Sequence, residues 1–271
     1  MKSLTGFVRS RWYHFAKPRL ERKLAKGASK TGLERQNWAE SLRDPTGMYL
    51  EFLRYFYQQL PAELKAHRAY FHNVESNRRG YGEDAFHVMW HLLIREFRPG
   101  TFLEIGVFRG QTISLAALCA RIGGFRCEVH GISPFSPAGD SVSKYRQDID
   151  YYADTLVNFD HFGLPHPNLL RGYSTDVAAV ELIRSRKWDM IYIDGNHDYE
   201  IVKKDWENCS QNTRAGGVIV FDDAGLTSSF NPPPYIAWRG HPGPSRMAKE
   251  VDRSKFQEIL QVGHNRVFQK R

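Results

Sequence analysis

The sequence predicts an α/β protein built on an open, doubly wound, mostly parallel sheet. Three observations lead to this prediction. Short apolar runs bounded by turn residues recur along the chain, as in buried parallel strands. Helical stretches separate these runs, and this alternation gives βαβ units with right-handed crossovers. Two of the runs end on acids, Asp194 and Asp222, at the sheet edge where this fold class binds ligands.

The elements follow from the pattern in chain order. Apolar residues on one helical face predict a helix from Tyr49 that stops at Pro61, and a further helix at 83–96 ends before Pro99. The pattern then predicts strand 101–107, helix 110–121, strand 126–132, helix 144–161, strand 168–171, helix 175–186, strand 189–194, helix 199–211 and strand 217–222. After a proline-rich loop come a short helix at 245–252 and two strands within 256–268. The chain thus divides into a basic tail (1–35), a helical cap (36–80) and a main domain (81–271).

Composition narrows the class of protein. A chain of 271 residues has room for one sizeable core. The 3 cysteines are odd in number and lack CxxC spacing, which disfavours a disulfide framework or a zinc site and favours a cytoplasmic protein. No apolar stretch has the length that a membrane span needs.

The positive charge is concentrated at the N-terminus. Residues 1–30 hold nine Lys and Arg against one Glu, which gives +8, so the remaining residues of this +8 chain are formally neutral. A neutral body argues against a nucleic-acid groove in the main domain. Residues 1–30 also carry Phe7, Trp12, Tyr13 and Phe15, which would allow peripheral contact with the inner membrane surface or with RNA. A solvated, partly helical extension is the simpler alternative.

The first strand-to-helix turn carries Glu104, Gly106 and Gly110. Glycines let the backbone approach a ligand closely, and the helix that follows begins with free N–H groups. Glu104 suits a ligand with an ammonium group. The spacing is not that of a dinucleotide fingerprint, which disfavours a nicotinamide dehydrogenase.

Acids also end the two central strands. Asp194 and the pair Asp222-Asp223 would meet at one edge, with His197 close by. Three carboxylates can hold a hard divalent cation beside a proton acceptor. Simpler interpretations stay open: Asp194 as a helix cap or a cofactor ligand only, the Asp222-Asp223 pair as turn residues, and His197 as a structural histidine.

Three segments together, 104–110, 193–200 and 215–223, resemble class I S-adenosylmethionine-dependent methyltransferases. The most similar branch contains metal-dependent sugar O-methyltransferases of macrolide pathways. The likeness covers about residues 81–271 and leaves residues 1–80 outside it. It implies a seven-stranded sheet, which accounts for the two strands at the C-terminal end.

The resemblance also implies cofactor contacts. Glu104, Gly106 and Gly110 would surround the methionine part, with Asp194 beside them, and Ser174 would contact the adenine side. Ser133 stands where the family usually has an acid that bonds the ribose, so a weaker acceptor fills this position. Asp140, in the loop that follows, is the candidate substitute.

The remaining implied roles concern the metal and the base. Asp194, Asp222 and Asp223 match the family's Mg²⁺ ligands, with Mn²⁺ as the second choice. His197 matches the general base of one subgroup, while Asn196 replaces the aspartate base of another. The base is therefore His197, or Asp198 by a shift of position.

These observations lead to one functional expectation. The chain would be an S-adenosylmethionine-dependent, Mg²⁺-assisted O-methyltransferase acting on a hydroxyl of a sugar or glycosylated metabolite. The alternatives are a metal-independent small-molecule methyltransferase and a non-catalytic, cofactor-binding or membrane-tethered protein. Tyr235 and Trp238 are candidates to stack on a sugar or simply to pack the loop, and His241 is expected at the surface.

Overall fold

The computed structural model describes residues 18–28, 32–73, 79–232 and 237–271. The tail aromatics Phe7, Trp12, Tyr13 and Phe15 and the loop residue Tyr235 lie outside these ranges, so the predictions made for them stay predictions. Among the described residues, no helix combines the length and the apolar character needed to cross a membrane.

One seven-stranded sheet organises the described chain, which confirms the predicted fold class. Its strands are β1 Thr101–Ile105, β2 Glu128–Ser133, β3 Asn168–Arg171, β4 Trp188–Ile193, β5 Thr213–Phe221, β6 Phe256–Val262 and β7 Asn265–Lys270. The spatial order is β3-β2-β1-β4-β5-β7-β6. Strands β1 to β5 pair in parallel, whereas β7 is antiparallel to both β5 and β6. The order reverses between β1 and β4, and ligands bind at such a switch point.

Helices cover both faces of the sheet. The described helices are a 3₁₀ helix Arg35–Leu42 and α-helices Pro45–Gln58, Ala62–His72, Asp84–Phe97, Gln111–Ile122, Tyr151–His161, Val177–Arg184, Tyr199–Asn212 and Pro242–Glu250. Residues 18–26 are also helical, and Leu24 is buried against the main core. One hydrophobic core holds the sheet side that faces helices Asp84–Phe97 and Gln111–Ile122, and a second lies beneath Tyr199–Asn212 and Pro242–Glu250.

Several predicted elements differ in their bounds from those observed, including one helix and one strand next to the site. The helix expected at 144–161 begins only at Tyr151, because the Asp150 side chain accepts a hydrogen bond from the Ala153 amide and caps it there. The preceding residues instead run as a loop along the sheet edge. Strand β5 begins at Thr213, earlier than the predicted 217, and its pairing with β4 shifts register near Trp188.

The helices before the sheet pack into its core. Helix Pro45–Gln58 lies against Asp84–Phe97, with Tyr49 and Phe52 fully enclosed. The Tyr49 hydroxyl donates a hydrogen bond to the Glu83 carboxylate at 2.7 Å. Segment 36–80 therefore reaches the residue that precedes helix Asp84–Phe97, next to the sheet's ligand-binding edge.

Candidate active site

The turn after β1 is shaped by two glycines with positive φ. Gly106 has φ +100°, and a Cβ there would lie 1.9 Å from the Asp194 carbonyl oxygen. Gly110 has φ +81°, and a Cβ there would lie 2.7 Å from the Thr155 side chain. Only glycine fits these positions, because the turns after β1 and β4 touch at the switch point. Gly106 lines the cavities described below, and Gly110 lies behind it at the start of helix Gln111–Ile122.

Glu104 is a buried acid at the floor of this edge. It is 3% exposed, and its Oε2 has no hydrogen-bond partner among the described residues. Burial raises its pKa to about 8, although the Ile113 amide donates to it. A carboxyl with a free oxygen on a cavity wall can pair with a cationic group of a ligand.

Two adjoining cavities follow the carboxyl ends of the strands. The larger has a volume of about 490 Å³ and the smaller about 160 Å³. They share five lining residues: Gly106, Phe108, Tyr145, Asp194 and Gly195. The smaller cavity holds Ser133 and Ser174, so the structure brings these two predicted cofactor residues together. Glu104 lines the larger one, and the two cavities form one cleft that crosses the switch point.

The three predicted metal ligands meet at the shared edge, but not as one compact cage. The Asp194 and Asp222 carboxyls are hydrogen-bonded to each other. Burial, and then the charge of Asp222, raise the pKa of Asp194 well above its usual range. Asp223 has φ +52°, an uncommon conformation for a residue other than glycine. Its oxygens lie with those of Asp222 around a histidine.

That histidine is His264, in the turn between β6 and β7. Its Nε2 lies 3.3 Å from Asp222 Oδ1 and 3.7 Å from Asp223 Oδ1, and its Nδ1 lies 3.1 Å from the Trp238 carbonyl oxygen. Burial lowers the pKa of His264, but the two carboxylates outweigh it and raise this pKa to about 10. An imidazolium therefore balances the acids. The sequence pattern did not single out His264, because nothing in the two strands predicted within 256–268 shows which residue it faces.

These acids fit a divalent cation by their chemistry. Two partly buried carboxyls in contact, Asp194 and Asp222, need a proton or a cation between them. Their oxygens and those of Asp223 are the ligands that Mg²⁺ and Mn²⁺ prefer. One ligand atom each from Asp222, Asp223 and His264 lies within 4.8 Å of the others. The same residues also carry an internal cation, His264, which competes for this position.

His197 is held between two carboxylates. Its Nδ1 lies 2.5 Å from Asp140 Oδ2, and its Nε2 lies 2.9 Å from Asp223 Oδ2. Asp140 is itself fixed by the amides of Val142 and Ser143 and of His197. Burial lowers the pKa of His197, but the bonds to Asp223 and Asp140 prevail and raise this pKa to about 9. Asp140 thus holds His197, and because it also lines the smaller cavity, its candidate contact with the ribose stays a prediction.

Two nearby residues, His241 and Asp198, lie in positions that differ from those predicted from the sequence. His241 lines the larger cavity, with Nε2 3.7 Å from Asp223 Oδ2 and its ring 4.4 Å from that of His197. Asp198, the alternative base, is exposed at the start of helix Tyr199–Asn212 and accepts a hydrogen bond from Ser141. It lines neither cavity, so the structure brings His197, and not Asp198, to the acids.

The outer wall of the larger cavity joins the cap and the loop after β5. Glu83 is partly buried and accepts hydrogen bonds from the Tyr49 hydroxyl and, at 3.0 Å, from the Trp238 amide. Burial raises the pKa of Glu83. The Trp238 side chain is 50% exposed and lines the cavity, which leaves its ring available to a ligand. Sequence analysis singled out Trp238 but not Glu83, since a lone acid before a helix carries no distinctive signal.

Comparison with known proteins shows what this part of the chain is similar to. The segment from 103 to 224, which runs from β1 past β5 and holds every strand-end acid described above, matches the family described as "Methyltransferase domain". The methyltransferase that the sequence predicts agrees with this match.

Solved structures share the fold of this chain. An O-methyltransferase of Bacillus cereus in complex with S-adenosylhomocysteine is 13% identical, covers 88% of this chain and 100% of its own, and superposes with a TM-score of 0.52. The S-adenosylhomocysteine-bound methyltransferase PaMTH1 of Podospora anserina is 17% identical, covers 90% and 98%, and has a TM-score of 0.53. The chain therefore has the class I methyltransferase fold.

One relative matches by sequence. An uncharacterized protein of Acanthamoeba polyphaga mimivirus is 28% identical over 145 residues. The match spans 51% of this chain and 60% of that protein, which is less than two thirds of its length.

Proposed function

We propose that this chain is an S-adenosylmethionine-dependent O-methyltransferase that acts on a hydroxyl of a small molecule. The observation that carries the proposal is the position of His197. It is held by Asp140 and Asp223 on the wall of the larger cavity, directly beside the residues shared with the smaller one. A proton acceptor at the junction of two ligand cavities is what methyl transfer to a hydroxyl needs.

In this proposal the cofactor spans the junction. Its adenosine part would occupy the smaller cavity with Ser133 and Ser174, and its methionine part would lie beside Glu104 and Gly106. The sulfonium is already a good electrophile, so the protein has to align the acceptor oxygen, the methyl carbon and the sulfur. The cofactor would supply the electrophilic methyl group, and the products would be a methyl ether, S-adenosylhomocysteine and the proton of the hydroxyl.

The acceptor hydroxyl must also lose a proton. With a pKa of about 9, the ring of His197 is protonated near neutral pH and cannot accept one. A positive charge brought into the cleft lowers this pKa, and the sulfonium of the cofactor is such a charge. Asp140 keeps the ring oriented through Nδ1, while Nε2 is bonded to Asp223 Oδ2, so the acceptor hydroxyl would take the place of that carboxylate at Nε2.

We further propose that the reaction is metal-assisted. Asp194, Asp222 and Asp223 would hold Mg²⁺ or Mn²⁺, which when bound polarises the acceptor hydroxyl. A metal-independent reaction is the second candidate, and one observation favours it. His264 already places a positive charge against Asp222 and Asp223.

For the acceptor we propose a polyhydroxylated molecule such as a sugar or a glycosylated metabolite. The half-exposed Trp238 offers an aromatic face, and Glu83 and His241 offer polar groups on the same wall. Sugars are bound by this combination, because their C–H faces stack on rings while their hydroxyls form hydrogen bonds.

The test is methyl transfer by the full chain. The protein is incubated with methyl-labelled cofactor and fractionated cell extract, and labelled products are identified by mass spectrometry. His197→Ala should lower the rate by about two to four orders of magnitude, whereas the exposed His166 provides a matched control, His166→Ala. Labelling that is absent with every fraction, or equal in both variants, would refute the proposed function or the role of His197 respectively.

The metal is tested separately. EDTA should remove activity, Mg²⁺ or Mn²⁺ should restore it, and Asp222→Asn should prevent that recovery while leaving S-adenosylhomocysteine binding measurable. Asp198→Asn is the control, because Asp198 is exposed and lines neither cavity. Full activity in EDTA would favour the metal-independent reaction and leave the methyltransferase itself intact.

A further inference from the structure

A chain of three buried side chains runs from the helix after β1 to the wall of the larger cavity. Ser114 is fully enclosed in helix Gln111–Ile122, and its Oγ lies 3.0 Å from His67 Nε2. His67 Nδ1 lies 3.1 Å from His87 Nε2. His87, in helix Asp84–Phe97, lines the cavity. None of the three takes part in the mechanism proposed above.

Both rings are neutral. His67 lies between the rings of Phe71 and Phe162, each with its centroid 4.7 Å away. Burial, and then the charge of Arg68, lower the pKa of His67 to about 3. Burial also lowers the pKa of His87 well below its usual value. A neutral imidazole carries one N–H, so the position of each proton follows from the hydrogen bonds.

The proton positions can be read from the serine end. The Ser114 hydroxyl donates to the Gly110 carbonyl oxygen at 2.6 Å, which leaves its oxygen to accept from His67. His67 therefore carries its proton on Nε2 and accepts through Nδ1. His87 must then donate from Nε2, and its Nδ1 keeps a lone pair. Within the described residues, His87 makes no other hydrogen bond.

We propose that Ser114 and His67 fix His87 Nδ1 on the cavity wall as an unprotonated acceptor for an N–H or O–H group of the bound molecule. The identity of that molecule rests on the proposed function, whereas the proton positions do not. Two donors have this chemistry: the ammonium of the cofactor's methionine part and a hydroxyl of the acceptor. His87 shares the cavity with Glu104, so either donor is within the same enclosure.

The first measurement concerns the ligand-free protein and needs no substrate. Long-range ¹H–¹⁵N spectra of the labelled full chain distinguish a histidine protonated on Nε2 from one protonated on Nδ1. We expect both His67 and His87 to be protonated on Nε2 near pH 7.5. Ser114→Ala should mix the tautomers of both rings, because the acceptor that orders them is lost. A wild-type His87 with its proton on Nδ1, or a charged one, would overturn the inference whatever the protein's activity.

The second measurement identifies the donor. His87→Gln retains an amide that can bond His67 and removes the acceptor at Nδ1. His91→Gln is the matched control, since His91 lies one turn further along the same helix and outside the cavity lining. S-adenosylhomocysteine and its analogue without the amino group are titrated calorimetrically into each variant.

The outcomes separate the two donors. If the ammonium is the donor, His87→Gln weakens S-adenosylhomocysteine about five- to tenfold but leaves the analogue unchanged. If the hydroxyl of the methyl acceptor is the donor, His87→Gln leaves both affinities unchanged. The amount of extract fraction needed for half-maximal methyl transfer then rises by a similar factor. If His87→Gln changes none of these relative to His91→Gln, the ligand contact is wrong even though the methyltransferase reaction stands.

Discussion

Binding of S-adenosylhomocysteine should release a proton from Glu104. In the free protein this carboxyl is buried and has a pKa of about 8, so near neutral pH it is mostly protonated. A ligand that places its ammonium beside the Glu104 carboxyl on the cavity wall favours the ionised form. Binding and ionisation are therefore coupled, and the proton has to leave to solvent.

The size of the effect follows from the pKa. With a pKa of about 8, about 0.9 of the Glu104 carboxyls are protonated at pH 7, so about 0.9 protons per site should be released. The same linkage gives the sign of the pH dependence. Affinity should rise with pH by up to about tenfold per unit below pH 8 and level off above it, because above that pH no proton remains to be displaced.

Calorimetric titration in buffers of different ionisation enthalpy measures this proton release directly. Glu104→Gln is the informative variant, because it keeps the shape of the side chain and removes the titrating group. Asp194 is a second acid with a raised pKa in the cleft, so the difference between wild type and variant is the relevant quantity. We expect that difference to be about 0.9 protons at pH 7 and to be close to zero at pH 9.5. Equal release by both proteins at pH 7, with equal affinity, would refute the role given to Glu104.

Three further outcomes test other parts of the site. Asp140→Asn should lower turnover at least about a hundredfold, because the ring of His197 would lose the carboxylate that orients it. Asp198→Asn should not lower turnover in this way. Equal rates for the two variants would contradict the role of Asp140. Gly106→Ala should lower the free energy of unfolding by more than about 2 kcal/mol in a urea titration. The control Gly124→Ala should lower it by only about 1 kcal/mol, because Gly124 also has a positive φ but no atom lies near an added Cβ. The pKa of His67 is about 3 in the folded protein, compared with an ordinary value of 6.5. Below pH 6.5 the unfolded protein therefore binds more protons than the folded protein. The free energy of unfolding should then fall by up to about 1.4 kcal/mol per pH unit on acidification toward pH 4, and a flat profile would count against a neutral buried ring.

The strand-end residues were predictable because of the geometry of parallel sheets. Asp194 and Asp222 each follow an apolar strand, and neighbouring parallel strands deliver their carboxyl ends to one edge. Gly106 was predictable for the same reason, since the turn after β1 must pass close to the turn after β4. In these cases local sequence and global fold specify the same position.

Two other residues of the site, His264 and Asp140, could not be predicted from the strand pattern. His264 reaches the acids from an antiparallel hairpin, and Asp140 reaches His197 from a loop that the sequence pattern assigned partly to a helix. The sequence around each of these two residues is like that around ordinary turn residues. Only tertiary packing shows that they face the carboxylates.

Hydrogen bonds connect the helical cap (36–80) with the loop after β5 and with His264. Tyr49 and the Trp238 amide both donate to Glu83, and the Trp238 carbonyl oxygen faces His264, which in turn lies against Asp222. One continuous set of contacts therefore joins the segment before the sheet, the loop after β5 and the acid cluster. A ligand that moves Trp238 must disturb either the Glu83 or the His264 end of this set, because both main-chain bonds belong to one residue. The charge balance at the acids therefore depends on contacts from residues that lie both before and after segment 103–224.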